Sequence, residues 1–345
     1  MIFYPDRFAL IVFAQFLLCF LMPRPALTAT AIELSADDGH ALAGHLWRHA
    51  QRATQPRPVV IINAATSVRC QYYARFAQYL FNAGADVVIY DYRGIGVSRA
   101  GSIKSSRAGW LDWGERDFEA ILQYATTAFP SQPIHVVGHS VGGVLIGLAP
   151  SNHRISRVFT MGAQHAYWPD YMARKRFGMW LKWHCVMPAV TRVMGYFPGK
   201  RLGWLEDTPA GVVRDWAVKR ANFLDTYRQP GGSSRLSGAQ CDALAARFTA
   251  LTAPILALSV SDDPYGTTPA IERLLKLYAA APRWHLRVTP KALNTSDIGH
   301  FAFFHTRFET QLWPIARQWL LDERLPDRDR TNATTLGELN QYPPI

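Results

Sequence analysis

The chain reads as an α/β protein built on a mostly parallel, twisted sheet with helices on both faces and a helical cap inserted late in the sheet. Three observations predict this. β-branched runs alternate with helical patterns at 59–62, 72–82, 87–90, 115–128 and 134–137, the rhythm of strands joined by helical crossovers. The run Ile134 to Val137 breaks directly into Gly138-His139-Ser140-Val141-Gly142 and a small-residue stretch, Val141 to Ala149, that reads as a helix. Finally, roughly 90 residues separate the strand run Arg157 to Met161 from the next one, Pro254 to Val260, where a crossover needs only a dozen or more.

In chain order, Val59 to Ile62 is a strand that empties into Asn63-Ala64-Ala65-Thr66-Ser67. A helix over 72–82 follows, then the strand run Asp86 to Tyr90, which ends in Asp91-x-Arg93-Gly94-x-Gly96-x-Ser98. There the glycines let the chain turn tightly, and Asp91 and Arg93 read as a structural ion pair or loop cap. The strand at Pro254 opens into Ser261-Asp262-Asp263-Pro264, and Trp284 to Val288 reads as the last strand, followed by the loop carrying Ile298-Gly299-His300-Phe301. Residues 32–164 and 251–325 form the core. Residues 165–250 form the cap, with Trp168, Trp180, Trp183, Trp204 and Trp216 packing it and Gly231 to Ser234 marking a flexible loop. Residues 326–345 read as a polar tail, frayed from Glu338 onward. There is no internal repeat.

The chemistry centres on Gly138 to Gly142, a G-x-S-x-G pentapeptide. At ordinary glycine and serine usage it arises by chance in about one chain in ten of this length, so the strand before it and the helix after it carry the weight. A sharp strand-to-helix turn holds a serine hydroxyl where a histidine and a substrate carbonyl both reach it. The motif requires an acid and then a histidine downstream. Asp263, with adjacent Asp262 as the alternative, and His300 meet that order from loops at the carboxyl edge of the sheet, where active sites of open α/β sheets gather. Taken singly, Asp-Asp-Pro is a common turn signal and His300 an ordinary packed imidazole; the joint spacing favours the triad. The oxyanion needs two donors. Val141 N–H is one, and Ala65 or Thr66 in the loop after Val59 to Ile62 supplies the other, although this loop lacks the usual His-Gly pair.

Beyond these motifs, Ala65-Thr66-Ser67-Val68, Tyr72 to Ala77, Asp91 to Ser98, Trp113-Gly-Glu-Arg-Asp117, Tyr196-Phe-Pro-Gly, Asp262-Asp263-Pro264-Tyr265 and Gly299-His300-Phe301 give the chain a family likeness. It resembles a bacterial group of α/β-hydrolase fold proteins related to the serine aminopeptidase-like and lysophospholipase-like branch. The resemblance spans roughly residues 32 to 320 and implies a serine hydrolase with a Ser-Asp-His triad, without naming a substrate. That group usually has a glycine where this chain has Ser67, a departure inside the oxyanion loop. The expected activity is cleavage of an ester through an acyl-enzyme, under a lid that takes a short-to-medium acyl chain. Peptidase, thioesterase or acyl-transfer chemistry on the same triad, or a non-catalytic binding protein on the same fold, are the alternatives.

Composition narrows the partners. With 49% hydrophobic and 18% charged residues the chain is globular, and its net charge of +11 raises nucleic acid or a membrane surface as partners. No nucleic-acid motif accompanies the charge. Arg174-Lys175-Arg176 and Lys200-Arg201 leave contact with anionic substrates or a membrane surface open, against the plainer reading of a solvated basic face. No metal-ligand spacing, phosphate loop or dinucleotide fingerprint occurs, so no cofactor is implied, and His139 and His165 read as structural. The apolar run Phe8 to Met22, followed by Ala29-Thr30-Ala31, reads as a secretory signal cut after Ala31. An uncleaved anchor, or a start codon placed too early on a cytoplasmic protein, is the alternative. Cys19 would leave with the signal, and Cys70, Cys185 and Cys241 indicate no disulfide framework.

Overall fold

The computed structural model describes residues 29–50, 57–325 and 337–343. Its strands are β1 (Thr30–Ser35), β2 (Ala41–Trp47), β3 (Val59–Asn63), β4 (Asp86–Tyr90), β5 (Ile134–His139), β6 (Ile155–Met161), β7 (Tyr196–Phe197), β8 (Thr208–Pro209), β9 (Ile255–Val260), β10 (Arg283–Val288) and β11 (Gly337–Tyr342). Nine of them form one sheet in the order β1-β2-β4-β3-β5-β6-β9-β10-β11. From β4 to β10 every neighbouring pair is parallel, and β3, β4, β5 and β9 are buried at every position. That is why those segments read as unbroken apolar runs: a strand covered on both faces has no solvent side to alternate with. Helices pack against the sheet, among them α1 (Ala74–Asn82) on β4, α2 (Glu119–Ala128) on β3, and α3 (Val141–Leu148) on β5. Before α2, Asp112–Phe118 winds as a π-helix.

Register brings the functional loops to one edge. Asn63 pairs with Gly138, and His139 with Met161. Gly162, just past β6, donates its N–H to Leu258 O of β9 at 2.9 Å. The loops after β3, β5, β6 and β9 therefore lie side by side at the strands' carboxyl ends. Between β6 and β9 the connection 162–254 carries α4 (Arg176–Trp180), α5 (Met187–Met194), α6 (Ala210–Ala217), α7 (Asp225–Arg228), α8 (Gly238–Ala250) and the antiparallel pair β7·β8. The helices α9 (Thr268–Leu275) and α10 (Trp313–Leu321) follow, and Trp319 of α10 donates its indole N–H to Val158 O of β6 at 2.7 Å.

The two edges of the sheet depart from the parallel pattern. The sheet opens with the β1·β2 antiparallel hairpin, whose β2 also runs antiparallel to β4. Ala31 lies inside β1, opposite His45, while the apolar run Phe8 to Met22 lies outside the described residues. Trp284 to Val288 is not the last strand, and residues 337–342 do not fray: they form β11, antiparallel to β10. Leu339 and Tyr342 of β11 pack on the core, and Tyr342 donates its hydroxyl to Glu272 Oε1 at 2.7 Å. The physical reason is the open edge of β10, which a short alternating segment can satisfy; residues 326–336 of the expected tail lie outside the described residues. Of the two readings of Asp91 and Arg93, the ion pair between them is not formed and the loop cap is. Asp91 accepts the N–H groups of Cys70 and Val97 at 2.6 and 2.9 Å, capping two loops. Arg93 pairs instead with buried Asp117 and with Asp38, both at 2.6 Å. Among the described residues no helix is long and apolar enough to cross a membrane.

Candidate active site

Ser140 sits between β5 and α3 with φ 54° and ψ −119°, a backbone conformation that costs on the order of 1–3 kcal/mol for a non-glycine residue. Its neighbours make the turn possible. A Cβ on Gly138 would lie 2.7 Å from the Gly143 backbone, and one on Gly142 2.3 Å from Asn63 O, so glycine is required for α3 to pack this close to β3 and β5. The Ser140 N–H is donated to Met161 O at 3.0 Å, tying the turn to the end of β6. Val141 begins α3, so the helix makes no claim on its N–H.

His300 and Asp263 meet across the same edge. Nδ1 of His300 lies 2.7 Å from Asp263 Oδ2, and Asp263 is fully buried. The other carboxylate oxygen, Oδ1, accepts the Tyr265 N–H at 2.8 Å. Asp262 points elsewhere: its Oδ2 accepts the N–H groups of Ile298 and Gly299 at 2.8 and 3.0 Å. One carboxylate thus faces the imidazole while its neighbour grips the loop that carries it. Gly162, at φ 57°, leaves room for this pair, since a Cβ there would stand 2.9 Å from Asp263 Oδ2 and 3.1 Å from His300 Nδ1.

A relay of buried groups sets the loop from the other side. His139 Nε2 lies 2.8 Å from His300 O, and a carbonyl only accepts, so Nε2 carries the proton. Nδ1 of His139 is then an acceptor and takes the Tyr73 hydroxyl proton at 2.7 Å, while the same hydroxyl accepts the Ala65 N–H at 2.9 Å. Burial, then the neighbouring His300, pushes the His139 pKa well below the ordinary imidazole value, consistent with this neutral tautomer. Tyr72 adds a bond from its hydroxyl to Phe301 O at 2.7 Å.

The relay corrects one candidate oxyanion donor. The Ala65 N–H is already donated to Tyr73, whereas Thr66 N–H finds no backbone acceptor and Thr66 Oγ1 is buried without a partner among the described residues. Thr66, with Val141, is the donor that remains. Ser67 next to it holds φ 59°, the left-handed region that glycine favours. Its Oγ lies 2.5 Å from Thr208 Oγ1, and its carbonyl accepts the Glu206 N–H at 2.9 Å.

Ser140, His300 and Thr66 line one cavity of about 290 Å³. The connection 162–254 supplies much of its wall, including Trp183, Met187, Phe197, Trp204 and Trp216. Trp183 stacks on Trp216 at 4.4 Å between ring centroids and donates its indole N–H to Tyr265 Oη at 3.0 Å. That wall is therefore bonded to the residue that holds Asp263. Tyr73, Gly162, Tyr265 and the grip of Asp262 are not evident in the sequence; only the placement of Gly162 directly after a buried strand hints at a tight approach. His165, read as structural, donates Nε2–H to Arg220 O at 3.1 Å and is buried. Among the described residues no group of three or more His, Cys, Asp and Glu side chains is arranged to hold a metal ion.

A family model described as serine aminopeptidase, S33, matches residues 54–293. A monoacylglycerol lipase from Mycolicibacterium smegmatis is 29% identical over 246 residues, covering 69% of this chain and 81% of its own. Among solved structures, DcsB in complex with its substrate analogue matches with a TM-score of 0.53 at 16% identity, covering 85% of this chain and 99% of that one. An esterase from Pyrococcus furiosus matches with a TM-score of 0.51 at 11% identity, over 87% and 94% of the two chains. At such identities these structures speak for the fold alone, and that fold is the α/β-hydrolase fold.

Proposed function

The chain belongs to the serine aminopeptidase (S33) family of α/β serine hydrolases, and from that premise we propose that it cleaves a carboxylic ester through an acyl-enzyme on Ser140. His300 accepts the Ser140 proton as Oγ attacks the ester carbonyl, then passes it to the departing alkoxide. Asp263 keeps Nδ1 protonated, so Nε2 is the basic nitrogen, and stabilises the imidazolium that forms. The Val141 and Thr66 N–H groups receive the oxyanion, each worth roughly 3–4 kcal/mol of barrier. Water, activated by the same histidine, then releases the acid and restores Ser140.

The observation that carries the ester reading is the chemistry of the cavity wall. It is chiefly aromatic and aliphatic, and its described lining residues include no carboxylate. An aminopeptidase must hold the free α-ammonium of its substrate, which calls for an acid that this wall does not offer. A cavity of about 290 Å³ stands at the small end of ligand pockets, roughly 300–1,000 Å³, which suits a short-to-medium acyl ester. The connection 162–254 acts as the lid, excluding water and offering its tryptophans to the acyl chain. The naming of the Mycolicibacterium smegmatis relative as a monoacylglycerol lipase supports the same class.

The test is hydrolysis of p-nitrophenyl esters from acetate to palmitate by wild type and Ser140→Ala, alongside labelling by a fluorophosphonate. A rate that peaks at one chain length and vanishes in the variant, with labelling of wild type only, is the expected result. Labelling of Ser140 without turnover of any ester would reject the ester reading in favour of another acyl substrate. Absence of labelling would reject the nucleophile itself.

A further inference from the structure

The cavity holds one side chain that neither the triad nor the acyl pocket uses. Lys182 lies in Leu181–Val186, a stretch between α4 and α5 that winds as a π-helix. Such stretches are rare and concentrate at functional sites. Consecutive residues Lys182 and Trp183 both reach the cavity. Nζ of Lys182 sits 3.8 Å from the Trp204 ring centroid and 5.1 Å from that of Trp183, so two aromatic faces fix the ammonium against the cavity wall.

The ammonium has no ion-pair partner among the described residues. Among the described residues lining the cavity Lys182 is the charged one, and no carboxylate stands beside it there. Glu206, close in sequence to Trp204, is already shared by Arg69 at 2.7 Å and Lys200 at 3.1 Å. Partial burial pushes the Lys182 pKa down, the direction expected of an ammonium drawn from water without a counter-charge. A cation held over aromatic rings, half withdrawn from water and facing the nucleophile's cavity, is a waiting partner for a substrate charge.

We propose that Lys182 selects esters whose acyl or alcohol part carries a terminal anionic group, a carboxylate or a phosphate, which pairs with its ammonium inside the cavity. This deepens the ester reading and rests on it. The group does not touch the reacting atoms; it sets which ester is held in place for attack.

Two matched ester sets test it. In one, p-nitrophenyl esters carry acyl chains of equal length ending in methyl, carboxylate or phosphate. In the other, butyrate is esterified to phenol, hydroxybenzoate or hydroxyphenyl phosphate. Wild type should favour at least one anionic member over its neutral counterpart by about tenfold in kcat/KM, the factor one charge-assisted contact supplies. Lys182→Gln should lose that preference by falling on the anionic ester alone, its neutral activity staying within about threefold, and Lys182→Arg should keep it. Which anionic end is favoured separates the carboxylate source from the phosphate source. No anionic preference in wild type, or an equal loss on neutral and anionic esters in Lys182→Gln, would overturn the proposal and leave Lys182 as a packing contact to the tryptophans. If wild type cleaves no ester, the ester reading falls. Lys182 is then read from the rates at which methyl-ended and carboxylate-ended fluorophosphonates label Ser140, equal rates being the result that rejects it.

Discussion

Tyr73→Phe should be far more damaging than the loss of one hydroxyl suggests. The Tyr73 hydroxyl accepts the Ala65 N–H and donates to His139 Nδ1, and Tyr73, Ala65 and His139 are all almost fully buried. Phenylalanine keeps the ring packed on Phe304, 4.8 Å between centroids, so little apolar contact is lost. It strands a donor on one side and an acceptor on the other. Each buried polar group left without a partner costs about 1–3 kcal/mol, so the variant should lose about 2–5 kcal/mol. For a domain of this size that corresponds to a fall in Tm of about 3–8 °C. Tyr72→Phe serves as the control: it removes one bond to Phe301 O from a half-buried residue and should cost only about 1 kcal/mol. Urea unfolding at neutral pH measures both. Activity should fall too, because His139 holds the His300 carbonyl through the tautomer that Tyr73 enforces. A Tyr73→Phe variant within about 0.5 kcal/mol of wild type would show that the relay does not exist as drawn.

Three further outcomes follow from the same geometry. Asp263→Asn should lower kcat by roughly 10³–10⁴-fold, whereas Asp262→Asn, which only weakens the grip on Ile298 and Gly299, should cost about tenfold or less; equal losses would refute the assignment of the acid. Gly162→Ala places a methyl 2.9 Å from Asp263 Oδ2 and should cut kcat about a hundredfold with the fold retained by circular dichroism, while full activity would mean that the pair tolerates displacement. Burial lowers the pKa values of His135, His165 and His285 to about 4, so below the unfolded value of about 6.5 the unfolded chain takes up protons that the folded one refuses. Stability is therefore highest above that pH and falls as pH drops towards 4, by about 2 kcal/mol per histidine at pH 5; equal unfolding midpoints in urea at pH 7.5 and pH 5 would refute it.

The parallel centre of the sheet is legible in the sequence because burial on both faces leaves no position where a polar residue is tolerated. The edges are not. β11 reads Gly-Glu-Leu-Asn-Gln-Tyr, a mostly polar segment that only the vacant edge of β10 turns into a strand. β1 and β2 alternate exposed and covered positions and lack the β-branched density of the core. In the site, residue type and order point to Ser140, Asp263 and His300, since the chemistry demands those types and the sheet demands that order. Spacing does not distinguish Asp262 from Asp263. Both lie in one turn, and what separates them is that one carboxylate meets an imidazole and the other two backbone N–H groups.

The oxyanion loop is the part of the site that local sequence cannot specify. A serine at φ 59° is disfavoured by about 1–2 kcal/mol relative to a residue in the right-handed region, so nothing in Ala65-Thr66-Ser67-Val68 selects the observed turn. The selection comes from elsewhere in the chain. Thr208 engages the Ser67 hydroxyl, Glu206 donates to its carbonyl, and Tyr73 takes the Ala65 N–H. The first two belong to the connection 162–254, far away in sequence. Two hydrogen bonds of ordinary worth, about 1 kcal/mol each, are enough to offset the strain. The loop that carries Thr66 is thus shaped by the connection that supplies much of the cavity wall. If that connection acts as the proposed lid, its shift would act on the Thr66 loop as well as on access to Ser140, with Ser67 as the link between them.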